Sequence, residues 1–174
     1  MQQQSNIEQY KTLYNFIKEN CIFNGEFTLS SGKKTTRYFD LRYLTLNGRW
    51  GHLITHAFRT ELDKHGIDIH KFDSIGGMES AAIPIVSTLA NSWGKLGFYT
   101  RKITKDHGLL KSVEGNIGQN DYLLVDDTIS TGMSMVKVQE IVGFKPVAMI
   151  CIVDRMLDRH YGLISLFKES DFNE

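Results

Sequence analysis

Short apolar runs alternate with segments of helical periodicity between Phe72 and Val153, and this alternation constrains the fold more than any other feature of the sequence. Strand-length apolar runs separated by amphipathic segments are typical of parallel strands joined by helices. Parallel sheets are covered by helices on both faces, so their strands are apolar throughout. The sequence therefore predicts an α/β fold with a mostly parallel central sheet flanked by helices.

Turn residues and periodicity divide this region into elements. Strands are expected at residues 72–75, 96–100, 122–125 and 146–153, and helices at 82–93 and 133–142. Residues 76–81 and 126–132 are expected as loops at strand ends. Residues 101–120 show neither periodicity and are expected as one long loop, and loops of that length are commonly functional.

The first third of the chain has a different pattern. Apolar residues at helical spacing after Ser5, a candidate N-cap, predict an opening helix that ends near Asn20. Two extended segments flank a turn-rich run and predict a small hairpin lobe, which a second helix follows. The expected ranges are 23–29 and 38–44 for the strands, 30–36 for the turn and 47–64 for the helix.

Length and charge limit the class of protein. The 174 residues, 41% of them hydrophobic, are enough for one compact domain. We expect an N-terminal helix and hood lobe at about 1–46 and an α/β core at about 47–174. Lys and Arg number 20, as do Asp and Glu, so the formal net charge is zero. Because proteins that bind nucleic acid mainly through its phosphates carry a basic surplus, no nucleic-acid partner is expected.

Neither secretion nor membrane insertion is expected. Residues 1–10 are polar, and no uninterrupted apolar run reaches the ~18 residues of a membrane helix. The two cysteines, Cys21 and Cys151, have no Cys or His neighbour at metal-ligand spacing, which favours a reduced, cytoplasmic protein. His52 and His56 have i, i+4 spacing but lie opposite the apolar stripe of their helix, and we expect solvated side chains there.

The segment from Tyr122 to Ser134 carries most of the chemical information. Four apolar residues are followed by Asp126 and Asp127, then by hydroxyl side chains and Gly132 at a helix start. Ligands of open α/β sheets bind at the carboxyl ends of the strands. Backbone N–H groups at a helix start hold phosphate, and adjacent carboxylates accept hydrogen bonds from a sugar diol. The segment therefore predicts a site for a ribose 5′-phosphate.

Each of these residue types is also a common turn or cap former, so a turn and a capped helix without ligand explain any one of them alone. The whole string in this order resembles the phosphoribosyl-diphosphate (PRPP) binding motif of the type I phosphoribosyltransferases. That resemblance implies the type I phosphoribosyltransferase fold, with a small N-terminal hood lobe. It also implies that the paired acids contact the ribose hydroxyls and that the following loop wraps the 5′-phosphate.

Three further segments narrow the resemblance to orotate phosphoribosyltransferase. Residues 27–42 (FTLSSGKKTTRYFDLR) are similar to that family's N-terminal signature, and residues 100–108 (TRKITKDHG) resemble its mobile catalytic loop. Arg155 ends a strand where the family has an arginine that meets the orotate carboxylate. The resemblance implies transfer of the phosphoribosyl group from PRPP to orotate, giving orotidine 5′-monophosphate and diphosphate in de novo pyrimidine (UMP) biosynthesis.

The same resemblance implies Mg²⁺ carried mainly by PRPP, with no protein ligand to the metal. It also implies a homodimer with shared active sites, because the family's loop closes over the neighbouring subunit's site. The loop has a chemical reason of its own. It places four potential cations within seven residues of a neutral chain, and a departing diphosphate is a concentrated negative charge.

The candidate site residues fall into three groups. The catalytic candidates are Lys105, Asp127 and His107. The candidates for PRPP contact are Arg101, Lys102, Lys105, His107, Asp126, Asp127, Thr128, Ser130, Thr131, Gly132, Met133, Ser134 and Ser80. The candidates for orotate contact are Ser130, Arg155 and Phe39, with residues 30–34 lining the base pocket.

The sequence also departs from the family pattern. Residues 76–84 would form the diphosphate loop, but Ala81 stands where some members carry lysine and Ala82 where glycine is usual. The loop then offers backbone amides and Ser80. Ser30 stands where the signature usually has Lys or Arg.

Two alternatives stay open at this stage. A salvage phosphoribosyltransferase for a purine or uracil would keep the PRPP string but has no reason to keep the loop of residues 100–108 or Arg155. A non-catalytic nucleotide-sensing regulator built on the same fold would need a basic face to bind RNA, which zero net charge makes less favourable.

Overall fold

The computed structural model describes residues 2–28, 32, 34–102, 112–119, 121–155 and 162–173. Its helices are α1 (Gln2–Asn20), α2 (Arg42–Thr45), α3 (Gly51–Lys64), α4 (Ala82–Trp93) and α5 (Met133–Val142), with 3-10 turns at Ile69–Lys71 and Glu169–Phe172. Its strands are β1 (Ile22–Thr28), β2 (Lys34–Phe39), β3 (Ser74–Met78), β4 (Leu96–Thr100), β5 (Val113–Gly115), β6 (Tyr122–Ile129), β7 (Ala148–Asp154) and β8 (Leu163–Lys168).

The main sheet has six strands in the order β5-β4-β3-β6-β7-β8, and every neighbouring pair is parallel except β4 with β5. The chain leaves β3 through α4 and returns as β4, towards the β5 edge of the sheet. It leaves β6 through α5 and returns as β7, towards the β8 edge. The chain thus changes direction across the sheet between β3 and β6, which is where open α/β sheets bind ligands. The predicted α/β class with a mostly parallel sheet is confirmed.

Alternate residues of β6 face two hydrophobic clusters. Leu123 and Val125 belong to the cluster that also contains residues of α1, α3 and α4. Tyr122 and Leu124 belong to the cluster that contains residues of α5. Because side chains alternate along a strand, Asp126 continues the α5 side and Asp127 continues the opposite side. The two adjacent acids therefore project from opposite faces of the sheet.

The expected loop at 76–81 is wrong in its first half, because Gly76 and Gly77 lie inside β3. A Cβ at Gly76 would stand 2.0 Å from Cζ of Phe98, and a Cβ at Gly77 would stand 2.7 Å from the carbonyl oxygen of Val125. These glycines permit close packing within a strand rather than a turn. The same hypothetical Cβ at Gly77 would stand 2.4 Å from the Cβ of Ala82, so Gly77 makes the room that Ala82 occupies.

Three further strands differ from the prediction, one in its end and two in being unpredicted. β6 continues to Ile129, whereas a loop was expected from Asp126, because Asp126, Thr128 and Ile129 pair with β7 and pairing holds these residues extended despite their polarity. Within the expected loop 101–120, Val113–Gly115 forms the edge strand β5 against β4. The strand β8 pairs in parallel with β7 and was not predicted.

The N-terminal hairpin is present, but with shifted bounds. The helix α1 begins at Gln2 and contains Ser5, so Ser5 is not its N-cap. The expected strand 38–44 is wrong: β2 ends at Phe39, and Arg42–Thr45 is a helical turn. The carboxylate of Asp40 accepts a hydrogen bond from the Arg42 amide at 3.2 Å, which favours the turn over an extended chain.

The remaining expectations agree closely with the structure. Helices α4 and α5 and strand β4 have the predicted bounds, and α3 begins at Gly51 rather than residue 47. Its apolar face is buried, while His52 and His56 are exposed.

Cys21 and Cys151 are buried free thiols, and burial raises the pKa of Cys21 to about 12. None of the described helices combines the length and apolarity that crossing a membrane requires.

Candidate active site

A crevice opens where β3 and β6 separate at their carboxyl ends. Their last paired residues are Gly76 and Leu124. Beyond this point β6 continues as far as Ile129, paired with β7. The polar end of β6 therefore borders a gap in the sheet rather than a neighbouring strand on that side.

Asp126 and Asp127 occupy this end of β6. Asp126 is 7% exposed, and its carboxylate accepts hydrogen bonds from the Ser134 hydroxyl at 2.8 Å and from the Asp127 amide at 3.0 Å. The carboxylate of Asp127 accepts the Thr128 amide at 2.6 Å. Both side chains are thus held by neighbours in the chain, and they present the acceptors that sugar hydroxyls need.

Burial raises the pKa values of both acids. Burial raises the pKa of Asp126 above its usual range, although the Ser134 hydroxyl opposes the shift. Burial and the adjacent charge of Asp126 raise the pKa of Asp127 to about 7. Closely spaced acids with raised pKa values, one buried and one half-buried, are typical of functional sites rather than of surface turns.

The segment from Ser130 to Gly132 turns the chain from β6 into α5. Gly132 has φ of +71° and serves as the N-cap of α5, so the tight turn uses a conformation that glycine adopts at little cost. Ser130 and Thr131 are half-buried, and the Met133 side chain is 65% exposed. The N-terminus of α5 faces the same end of the sheet as the acids, and its dipole favours an anion there.

A cluster of opposite charges lies at the end of β4. The guanidinium of Arg101 contacts the Glu114 carboxylate at 2.9 Å and the Glu79 carboxylate at 3.5 Å. Glu79 also accepts the Lys102 amide at 2.8 Å, and the Lys102 carbonyl accepts the Lys137 ammonium at 2.8 Å. Arg101 is thus paired with acids at the base of the loop, while the Lys102 side chain is exposed and its charge reaches Asp126.

Arg155 follows the end of β7, next to the end of β6, and its amide donates to the Ile129 carbonyl at 2.8 Å. Its guanidinium forms two 3.1 Å hydrogen bonds to Glu169 and a 3.0 Å bond to the Arg37 carbonyl. Its Cζ lies 5.1 Å from the ring centroid of Phe39, which is buried. The hood strand β2 and the turn after β8 therefore meet at Arg155.

Arg42 places a positive charge of the hood within electrostatic range of Asp127. Its guanidinium binds the Asp40 carboxylate through two hydrogen bonds, at 2.7 and 2.8 Å. Its positive charge also lowers the pKa of Asp127 against the larger effect of burial. The hood thus brings the charge of Arg42 towards the two carboxylates and the ring of Phe39 against Arg155.

Comparison of the sequence with known proteins finds relatives that cover most of the chain. An orotate phosphoribosyltransferase of Pyrococcus furiosus is 32% identical over 143 residues, which cover 80% of this chain and 77% of the relative. Another, of Corynebacterium glutamicum strain R, is 32% identical over 156 residues, 86% of this chain and 82% of the relative. The chain belongs to the orotate phosphoribosyltransferase family. No protein-family model matches it.

Structural comparison agrees with this assignment. The crystal structure of the orotate phosphoribosyltransferase of Aeropyrum pernix is 25% identical and resembles the chain with a TM-score of 0.73, covering 91% of this chain and 94% of that one. The type I phosphoribosyltransferase fold and the resemblance to orotate phosphoribosyltransferase, both expected from the sequence, are confirmed.

Several predicted site residues of this family member come together at the carboxyl end of the sheet. They are Asp126, Asp127, Thr128, Ser130, Thr131, Gly132, Met133 and Ser134 after β6, Arg101 and Lys102 after β4, Ser80 after β3, and Arg155 with Phe39. Ser80 is exposed, and its carbonyl accepts the Ile83 amide at 3.3 Å. Lys105 and His107 lie outside the described residues, as do Ser30, Ser31 and Lys33 of the expected base-pocket lining, so their predicted roles stay predictions.

Sequence reasoning gave no role to three residues that contact this region. Glu79 holds Arg101 and Lys102, Glu169 holds Arg155, and Arg42 approaches Asp127. Arg42 lies within residues 27–42, which carry the family resemblance, and Glu79 lies within the expected diphosphate loop, so these positions were the available signals. Glu169 lies in no such segment, and its contact to Arg155 depends on the unpredicted strand β8.

Proposed function

We propose that the chain transfers the phosphoribosyl group of PRPP to N1 of orotate, releasing diphosphate and forming orotidine 5′-monophosphate for pyrimidine nucleotide synthesis. The observation that carries the proposal is one juxtaposition. A buried and a half-buried carboxylate stand at the end of β6, just before the N-terminus of α5. The buried guanidinium of Arg155 stands at the end of the neighbouring strand β7, where the Arg155 amide donates to the Ile129 carbonyl of β6. A sugar phosphate and a carboxylate-bearing base thus have adjacent sites.

The ribose phosphate is assigned to the end of β6. Asp126 and Asp127 accept hydrogen bonds from the ribose hydroxyls, and ionised carboxylates make stronger acceptors than neutral groups. The backbone N–H groups and hydroxyls from Ser130 to Ser134 bind the 5′-phosphate at the N-terminus of α5. The bond from Ser134 to Asp126 ties the two halves of this site together.

Orotate is assigned to the end of β7. The Arg155 guanidinium is the partner for the orotate carboxylate, since a planar fork suits a planar carboxylate. Phe39 lies against the guanidinium and gives the base pocket an apolar wall. Ser130 directly follows Ile129, whose carbonyl accepts the Arg155 amide, and is assigned to the same region.

The reaction breaks the bond between the anomeric carbon and diphosphate and forms a bond from that carbon to N1 of orotate, whose proton is released. Negative charge develops on the leaving diphosphate, so cations there stabilise the transition state. We assign this role to Lys102, with Lys105 and His107 of the loop as the catalytic candidates. Arg101, paired with Glu79 and Glu114, anchors the base of that loop and supplies a further cation. Closure of the loop would exclude water, which otherwise hydrolyses PRPP.

We propose Mg²⁺ as the cofactor, brought by PRPP. The described residues include no group of three His, Cys, Asp or Glu side chains placed to hold a metal ion. This donor set fits a metal that PRPP would bring on its own phosphate and ribose oxygens, without a dedicated protein site. When bound, the metal neutralises charge on the diphosphate. Titration calorimetry should show PRPP binding that tightens with added Mg²⁺ and returns to the metal-free value with chelator.

The test of the proposed reaction mixes purified protein with PRPP, Mg²⁺ and orotate and follows loss of the ultraviolet absorbance of orotate. We expect loss that requires all three. No loss, with PRPP binding intact, would overturn the assignment and favour the nucleotide-sensing regulator. Consumption of PRPP with uracil or a purine base instead would favour the salvage enzyme.

We also propose a cytoplasmic homodimer with shared sites. Two free buried thiols support a reducing compartment. Tyr43 and Leu46, 57% and 70% exposed, leave apolar surface on the hood side that a second copy can cover. Mixing inactive Lys105→Ala chains with inactive Asp127→Asn chains should restore part of the activity. A mixture that stays inactive would contradict shared sites.

A further inference from the structure

The guanidinium of Arg155 already holds a carboxylate. Its Nε and Nη2 atoms donate to Oε2 and Oε1 of Glu169, each at 3.1 Å, in the two-pronged geometry that a free carboxylate would adopt. Nη2 donates in addition to the Arg37 carbonyl at 3.0 Å and to the Thr35 hydroxyl at 3.3 Å. Glu169 therefore occupies the Nε/Nη2 edge of Arg155, one of the two guanidinium edges that offer two parallel hydrogen bonds.

The two partners are held very differently. The Arg155 side chain is 6% exposed, and it is fixed by three contacts that do not involve Glu169: the Arg37 carbonyl, the Thr35 hydroxyl and the face of Phe39. The Glu169 side chain is 30% exposed and begins the 3-10 turn after β8. That turn is secured independently, because the Asp171 carboxylate accepts the Lys168 amide at 2.8 Å. Glu169 can therefore leave Arg155 for water without unfolding its turn.

We propose that Glu169 is a specificity-determining residue that acts as an exchangeable counter-ion: its carboxylate holds Arg155 in the empty enzyme and is displaced by the carboxylate of the incoming base. The proposal rests on the proposed function, which makes Arg155 the orotate-binding residue. A buried guanidinium without a partner is costly, so the exchange keeps Arg155 paired in both states. It also lowers the affinity for orotate, because each binding event must break the existing pair.

Competition between the carboxylates of Glu169 and orotate predicts that a substitution of Glu169 strengthens orotate binding. Glu169→Gln keeps the size of the side chain and one acceptor but removes the competing charge, so the KM for orotate should fall by roughly 2- to 10-fold. The KM for PRPP should stay unchanged, and so should inhibition by uracil, which has no carboxylate. A purely structural role for Glu169 would instead weaken orotate binding and lower the melting temperature.

The matched control is Glu140→Gln, an identical change of charge at an exposed position on α5. Steady-state kinetics on wild type and both variants give the KM values for orotate and PRPP. Calorimetric titration of orotate, with a PRPP analogue present in diphosphate-free buffer, gives the affinity for orotate. Should Glu169→Gln fail to fold, Glu169→Asp shortens the reach by one methylene and should lower the KM for orotate in the same direction.

The outcomes separate this proposal from the function on which it rests. Wild type without orotate turnover would overturn the proposed function and this proposal together. Active wild type, with an orotate KM in Glu169→Gln that is unchanged or higher, would overturn the counter-ion exchange alone. A lower KM for orotate that is accompanied by an equally lower KM for PRPP would also overturn it, because displacement at Arg155 affects only the carboxylate-bearing substrate.

Discussion

The ends of β6 and β7 lie side by side but hold their polar groups in different ways. At the end of β6, Asp126 and Asp127 are bound by residues one to eight positions away in the chain. At the end of β7, Arg155 is bound by Glu169, 14 positions away, and by Thr35 and Arg37, 120 and 118 positions away. The half of the site proposed to bind the ribose phosphate is thus built locally, and the half proposed to bind the base is assembled by tertiary contacts.

This difference indicates how the two halves should respond to change. Local hydrogen bonds persist as long as β6 and α5 are formed. The position of Arg155 additionally requires the hood strand β2 and the turn after β8 to dock on the core. Substitutions in the hood should therefore weaken orotate binding while leaving PRPP binding intact.

The largest expected effect is that of Asp127→Asn on the locally built half. The amide is a weaker acceptor than a carboxylate for the ribose hydroxyls, so kcat/KM for PRPP should fall by about 100- to 1000-fold. Initial-rate kinetics at varied PRPP measure the loss. A fall below about tenfold would mean that Asp127 does not contact the ribose in the transition state.

Arg155→Gln tests the other half. Loss of a charge-assisted pair to the orotate carboxylate should lower kcat/KM for orotate by roughly 100-fold. PRPP affinity, measured by calorimetry without orotate, should remain within about twofold, since sites without shared contacts behave independently. A matching loss of PRPP affinity would show that the two halves are coupled and would break the comparison.

Thr35→Val tests the tertiary contact itself. The substitution removes the hydroxyl that accepts from Arg155 at 3.3 Å, so the KM for orotate should rise by about 3- to 10-fold with the KM for PRPP unchanged. Thr36→Val, at the exposed neighbouring position in β2, is the control and should leave both values unchanged. Equal effects of the two variants would assign the change to the hood as a whole rather than to the hydroxyl.

The smallest effect concerns stability and pH. The pKa of Asp127 is about 7 in the folded chain, above its unfolded value, so the folded state holds a proton that the unfolded state has released. Stability is therefore lost as pH rises from about 4 to about 7, where the folded carboxyl ionises. Asp127→Asn avoids this loss and should stabilise the chain by about 1–2 kcal/mol at pH 8 but much less at pH 5.

Thermal unfolding at the two pH values, without ligand, measures this difference. A gain in melting temperature of a few degrees at pH 8 that shrinks at pH 5 is expected. Equal gains at both values would contradict a raised pKa for Asp127. The same variant thus loses activity and gains stability, as is common for groups held in unfavourable surroundings for function.

Local patterns predicted the parts of this molecule that depend on local interactions. Periodicity located α4, α5 and β4 because amphipathic helices and apolar strands are encoded by neighbouring residues. The same patterns failed at Gly76 and Gly77 and at Asp126, where glycines and acids resemble a turn but strand pairing and close packing keep the chain extended.

Residues close in the chain were enough to predict the α/β class, the family, and the acids, hydroxyls and glycine at the end of β6. Only the tertiary structure decided which groups surround Arg155, since Thr35, Arg37, Phe39 and Glu169 are distant in sequence. The pairing of Arg155 with Glu169 illustrates the physical reason. A buried charge requires a partner, but the sequence does not specify which of the many carboxylates the fold brings to it.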